Sequence, residues 1–219
     1  MKLNHLIDHT VLKPTTLISE VEKCCQEANE YGFAAVCIPP PFVKMAKGLL
    51  KDSNVKVGTV IGFPFGYSAI EAKIAESVLA MVDGADELDV VINLIALKNK
   101  DWTYLANELN HLTAVIKKEN KILKIIIESG ILTDDEIIKC CQLYGVADID
   151  YLKTSTGYAQ TGATLHAVEL FRANLPKHIG IKASGGIKDY HFAKSLAEAG
   201  ATRLGCSASI AIVTDPQNH

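Results

Sequence analysis

Short apolar runs that do not alternate with polar residues recur along this chain of 219 residues, with helix-like stretches between them. They occupy 33–38, 57–62, 88–93, 123–128, 151–153, 179–183 and 203–205. A strand with one wet face alternates, whereas a strand covered on both faces reads as an unbroken apolar run, which is the habit of parallel sheets. Leu6-Ile7-Asp8-His9-Thr10 is a candidate eighth strand. Eight strand–helix units would close into a (β/α)8 barrel, and seven or fewer would leave an open doubly wound sheet. Periodicity alone leaves both open.

The helical stretches carry their own punctuation. Leu17, Val21, Cys24 and Ala28 mark one face of a helix that ends at Gly32. Ser68-x-x-Glu71 reads as a capping box, followed by a stripe of Ile70, Ile74, Val78 and Val82 and a stop at Gly84. Leu105, Leu109, Leu112 and Ile116 form another stripe. Thr133-x-x-Glu136 opens the next helix, which stops at Gly145, and Asp189 caps one that stops at Gly200. No linker or low-complexity segment interrupts the alternation, so residues 1–219 read as one domain.

A formal charge of −3 with no basic run argues against nucleic acid as a partner. No apolar stretch approaches the roughly 20 residues of a membrane span, and the start lacks the shape of a signal peptide. The cysteines, Cys24, Cys25, Cys37, Cys140, Cys141 and Cys206, form no C-x-x-C pair. They read as reduced, buried residues of a cytoplasmic protein. The seven histidines are scattered without ligand spacing, so no metal is expected. No dinucleotide or ATP motif is present, so neither of those cofactors is expected.

Polar residues gather where the strands end, the edge on which barrels build their sites. Lys153 closes one apolar run and leads into Thr154-Ser155-Thr156-Gly157. Lys182 stands near the end of another and leads into Ala183-Ser184-Gly185-Gly186. An amine in a buried strand is costly unless it is used. To attack a carbonyl near pH 7, a lysine must lose about 3 units from its free pKa of about 10.4. Burial and a second cation nearby both act in that direction. Asp89 shares one side of its strand with Val91 and Asn93. It reads either as a structural ion pair or as a proton relay working with Lys182. Asp8 reads as a weaker version of the same choice. Gly185, Gly186, Gly205 and Ser207 follow the last two strands, where barrels hold phosphate with backbone amides.

The motifs Asp8-His9-Thr10, Val36-Cys37-Ile38-Pro39-Pro40, Val60-Ile61-Gly62-Phe63-Pro64, the run from Gly84 to Asn93, Lys153-Thr154-Ser155-Thr156-Gly157 and Lys182-Ala183-Ser184-Gly185-Gly186 span nearly the whole chain. With them the sequence resembles the deoxyribose-phosphate aldolases, which are class I aldolases. The resemblance implies a single (β/α)8 barrel that works without cofactor. It implies reversible cleavage of 2-deoxy-D-ribose 5-phosphate to D-glyceraldehyde 3-phosphate and acetaldehyde. Lys153 matches the Schiff-base lysine, Lys182 the second lysine and Asp89 the relay aspartate. Asp8 and Thr10 match polar residues at the mouth of the site. Thr156, Gly157, Gly185, Gly186, Gly205 and Ser207 fall at substrate and phosphate positions. A homodimer is compatible with the resemblance. Two features depart from the family pattern. Cys206-Ser207-Ala208-Ser209 offers one fewer hydroxyl to a phosphate, and Tyr158 follows the glycine where some longer members carry lysine. The alternatives are another Schiff-base barrel aldolase, a phosphosugar isomerase and a non-catalytic phosphosugar-binding barrel.

Overall fold

Each apolar run becomes a strand, and each strand pairs in parallel with the next. The molecule is a computed structural model that describes residues 1–218; His219, the last residue of the expected domain, lies outside the described residues. The strands are β1 (Ile7–Thr10), β2 (Ala35–Ile38), β3 (Lys56–Ile61), β4 (Glu87–Val91), β5 (Ile122–Ile126), β6 (Tyr151–Lys153), β7 (Gly180–Ser184) and β8 (Arg203–Cys206). β8 returns to pair with β1, so the sheet is a closed barrel and the open-sheet alternative falls.

Helices follow the strands in turn. α1 (Ile18–Tyr31), α2 (Val43–Leu49) and α3 (Ile70–Val82) follow β1 to β3. Both α4 (Leu94–Lys98) and α5 (Trp102–Ile116) follow β4. α6 (Asp134–Tyr144), α7 (Leu165–Asn174), α8 (Tyr190–Glu198) and α9 (Ser209–Val213) follow β5 to β8. The apolar core lies between barrel and helices. Leu88, Val90, Leu123, Ile125, Leu152 and Ile181 meet Leu105, Leu109, Leu112 and Ile116 of α5 and their counterparts on other helices there. All six cysteines are free and buried. Among the described residues, no helix is long and apolar enough to cross a membrane.

The helix signals hold in part. Thr133 and Glu136 form the expected capping box, and Asp189 accepts from the Phe192 amide at 2.9 Å. Gly32 closes α1 in the left-handed region at φ 65°. Leu17, however, caps α1 from outside the buried stripe and is exposed. The box expected at Ser68 does not form, because α3 begins at Ile70 with Ala69 at its cap. The expected stripe on α3 is also wrong: Val82 is 77% exposed, and the buried face is Ile70, Lys73, Ser77 and Ala80. Steps of four residues drift about 40° each around a helix, so three of them leave the face. Alternating steps of three and four stay on it.

That face carries a lysine. Lys73 Nζ donates to Glu108 Oε1 and to the Val91 carbonyl, each at 2.6 Å, and the pair is almost wholly buried between α3 and α5. Burial pulls the Lys73 amine down and pushes the Glu108 carboxyl up. Lys73→Met leaves Glu108 buried without its cation, and a loss of about 3–5 kcal/mol in denaturant unfolding is expected. Adding Glu108→Leu should recover most of that loss. A neutral single variant would mean that the two groups are not held as ions.

Candidate active site

Charged side chains converge inside the barrel. On β4, Glu87 and Asp89 are two residues apart and so face the same way, with Leu88 and Val90 facing the outer core. Asp89 registers with Lys124 on β5, Lys153 on β6 with Lys182 on β7, and Lys182 with Arg203 on β8. Asp8 on β1 completes the ring beside Gly205. A Cβ at Gly205 would stand 2.8 Å from the Ser184 Cβ and 3.2 Å from the Lys182 Cε, so the glycine makes room for that lysine.

These groups bond as one network. Asp89 Oδ2 accepts from Lys153 Nζ at 2.7 Å and from Lys182 Nζ at 2.6 Å. Its Oδ1 accepts from Lys124 Nζ at 2.8 Å. Lys182 also donates to Asp8, whose other oxygen accepts from Arg203 at 2.6 Å. Lys124 and Arg203 both reach Glu87, at 2.5 and 3.0 Å. Four cations (Lys124, Lys153, Lys182, Arg203) thus face three carboxylates (Asp8, Glu87, Asp89), and the network has one positive charge too many if every group is ionised.

Lys153 is the cation that most readily gives up its proton. It contacts one carboxylate of the network, shared with Lys182 and Lys124, whereas each of those two contacts at least two. Burial pulls the Lys153 amine below its ordinary value; Asp89 opposes this and the Lys182 charge adds to it. For Lys182 burial acts in the same direction, but Asp8 and Asp89 overcome it and hold the amine above its ordinary value. Burial would raise both aspartates, yet the surrounding cations hold Asp8 and Asp89 below the usual carboxylate range.

Above the network a cavity of about 160 Å³ opens at the C-terminal ends of the strands. The expected residues Thr10, Lys153, Thr156, Gly157, Gly185, Gly186, Gly205 and Ser207 line it together, joined by Leu12, Ser184 and Ile187. Asp8, Asp89 and Lys182 lie buried in the network beneath. The two lysines are not equivalent: Lys153 ends β6, while Lys182 sits in the middle of β7, deeper than the expected strand end. Burial pushes the Cys206 thiol up to about 12. Ser209 is turned away from the cavity, bonded to His9 Nδ1 and to the Cys206 carbonyl at 2.9 Å each. The β8 turn therefore offers the cavity only the Ser207 hydroxyl. Cys37 is buried with its Sγ 3.9 Å from Asp89 Oδ2, and burial raises its pKa.

Sequence reasoning gave no role to Lys124, Glu87, Arg203 or Glu128, although Glu128 stands among the polar residues gathered at the strand ends and Glu87 lies within the motif from Gly84 to Asn93. Lys124 interrupts Ile122-Leu123-Lys124-Ile125-Ile126 as Lys182 interrupts its own strand, and Glu87 precedes Asp89 by one strand period. Both signals were present. Arg203, first in its strand, reads as an edge residue until the barrel closes.

A closed parallel barrel with a deprotonation-prone amine at the floor of its mouth is the frame of an aldolase, and comparison with known proteins makes this chain one, an enzyme of the carbon–carbon lyase class. More narrowly, it belongs to the DeoC/LacD family of aldolases, whose model matches residues 3–211. It is 45% identical over 216 residues to the deoxyribose-phosphate aldolase of Caldanaerobacter subterraneus subsp. tengcongensis, covering 98% of this chain and 94% of that one. It is 47% identical over 213 residues to that of Lactococcus lactis subsp. lactis, covering 97% and 96%. Among solved structures, the putative deoxyribose-phosphate aldolase of Coccidioides immitis superposes with a TM-score of 0.94 at 38% identity, covering 98% of this chain and 85% of that one. The tetrameric deoxyribose phosphate aldolase of Aeropyrum pernix gives 0.90 at 30% identity, covering 96% and 89%.

The buried carboxylates set an acid limit. Unfolded aspartates titrate near about 3.9, above Asp8 and Asp89 in the folded barrel, so the unfolded chain binds more protons at low pH. Their stabilisation is complete above about pH 5 and is lost as the pH falls toward the folded values. The thermal midpoint is expected to fall steeply below about pH 4. A midpoint that stays level down to about pH 3 would remove these two groups from the stability of the fold.

Proposed function

We propose that this chain, working as one barrel domain, cleaves 2-deoxy-D-ribose 5-phosphate reversibly to D-glyceraldehyde 3-phosphate and acetaldehyde. The observation that carries the reading is Lys153, a buried amine with a lowered pKa whose neighbours in the cavity are backbone turns and hydroxyls. The names of relatives 45–47% identical over nearly the whole chain supply the substrate. A cytoplasmic location and a homodimer belong to the same reading, the latter with Val78, Leu79 and Val82 exposed on α3.

In the direction of synthesis, the neutral Lys153 Nζ attacks the carbonyl carbon of acetaldehyde. Loss of water gives a protonated imine. Its positive nitrogen acidifies the adjacent C–H, and a water positioned by the Asp89–Lys182 pair takes that proton. The resulting enamine carbon attacks the aldehyde carbon of glyceraldehyde 3-phosphate, whose oxygen is protonated as the new bond forms. Water then hydrolyses the imine and frees both sugar and amine. Cleavage runs the same steps backwards. The protonated imine is the electron sink, so the scheme calls on no metal or organic cofactor.

In this reading the phosphate binds at the glycine turns of the cavity. Gly157, Gly185, Gly186, Gly205 and Ser207 meet there, and glycine turns let backbone amides approach an anion closely. Thr10 and Asp8 stand nearer the reacting carbons in this reading, and Thr156 flanks the Gly157 turn at the phosphate end. Anchoring the phosphate fixes the aldehyde at one distance from the enamine, which is where orientation adds rate.

Reduction with borohydride in the presence of acetaldehyde is expected to add mass to the peptide containing Lys153. Mass on Lys182 instead would reverse the assignment of the two lysines. Lys153→Arg should abolish turnover, because a guanidinium does not become a neutral nucleophile at working pH. Lys182→Leu removes a charge that depresses Lys153, so the Lys153 pKa rises and the rate profile moves to higher pH. An unshifted profile would take Lys182 out of the activation of Lys153.

A further inference from the structure

We propose that Glu128 is a positioning residue of this reaction: through Thr156 it sets the Gly157 turn that grips the phosphate end of the substrate. The inference rests on the reading above.

Glu128 lies just past the end of β5 and is 3% exposed. Its backbone is left-handed, at φ 55° and ψ 58°. Residues with a Cβ seldom adopt that region unless their surroundings impose it, and such positions cluster at functional sites. The turn aims the carboxylate across to the loop after β6. There it accepts from the Thr156 amide at 3.3 Å and from the Thr156 hydroxyl. The hydroxyl has one proton and gives it to Glu128. Its lone pairs are then free, and Thr156 Oγ1 accepts from the Tyr158 amide at 3.0 Å. Carboxylate, hydroxyl and amide thus form a chain that spans Gly157 from both sides.

The loop continues across the mouth. The Tyr158 hydroxyl donates to the Leu12 carbonyl at 2.9 Å, and its ring meets the Phe63 ring edge-on at 5.4 Å. The loop's far end is fixed separately, since the Ala163 amide donates to the carbonyls of Ser184 and Gly185 at 3.0 Å each. A Cβ on Gly162 would lie 2.3 Å from the Gly185 carbonyl oxygen, so the backbones meet directly. Without Glu128 the near end of the loop loses its charged anchor and Lys153 loses the field of a nearby carboxylate, while Lys153 and the network below keep their hydrogen bonds.

A residue that served only the fold would lower the active fraction alike for every substrate. A positioning residue acts on the phosphate end. Glu128→Ala and Glu128→Gln are to be assayed with 2-deoxyribose 5-phosphate and with 2-deoxyribose, and titrated with inorganic phosphate by calorimetry. Glu128→Ala is expected to raise KM for the phosphorylated sugar and Kd for phosphate about tenfold, the factor carried by one hydrogen bond to a charged group. Read on the plateau of each variant's pH profile, where Lys153 is neutral in both, its kcat/KM on 2-deoxyribose should stay within about twofold. Glu128→Gln keeps one acceptor oxygen and should lose less. Equal losses on both sugars, or an unchanged Kd for phosphate, would overturn the inference. Should Glu128→Ala fail to fold, Glu128→Gln decides by the same two readouts. If the wild-type enzyme leaves 2-deoxyribose 5-phosphate uncleaved, the substrate reading fails by itself, and the phosphate titration still judges Glu128.

Discussion

Two lysine nitrogens donate to one carboxylate oxygen, Asp89 Oδ2. Most of what this barrel can do follows from that shared acceptor. A buried ammonium is tolerated only when paired, and here two compete for the same partner while a third holds the other oxygen. Lys182 has Asp8 in reserve, and Lys124 has Glu87. Lys153 has neither, and it is also the one lysine of the three that lines the cavity. Unequal access to counter-charge, rather than burial alone, separates three lysines of similar burial into two fixed cations and one amine of lowered pKa.

Ordinary barrels fill their interior with layers of branched apolar side chains. In this one an ionic lattice shares that volume with a few apolar residues such as Val60, Val91 and Ile126, and the main apolar core sits between sheet and helices. Such a lattice contributes little net stability, since desolvation consumes much of the attraction. Its members are nonetheless closely interlocked. Arg203, at the lower end of β8, bonds Asp8 and Glu87 and lies 5.3 Å over the Tyr151 ring, so even the groups farthest from the cavity have fixed places. Precision of charge placement is what this arrangement provides.

The strand runs were legible in the sequence almost to the residue, because burial on both faces leaves an unbroken apolar signature. Barrel closure was not legible, since pairing of β8 with β1 is a property of the whole sheet. Lys153, Lys182 and Asp89 stood out as charges inside apolar runs. Lys124 gave the same signal outside any motif, and Glu87 gave it inside the motif from Gly84 to Asn93, where Asp89 took the role. Glu128 stood out only as a polar residue closing its apolar run; its left-handed turn and its bond to Thr156, which joins residues 28 apart, had no local sign. On α3, the eye followed a line of four-residue steps that looks continuous in print and winds off the buried face in space.

The odd charge in the barrel has a genetic corollary. Seven buried side chains share this network, so exchanging a charged residue for a neutral one at any of them changes whether the set sums to an even or an odd charge. Burial limits how far bulk ions offset such a change. Sequence drift at these positions is therefore expected to proceed by paired exchanges, in which the loss of a cation is met by the loss of an anion, or to stop.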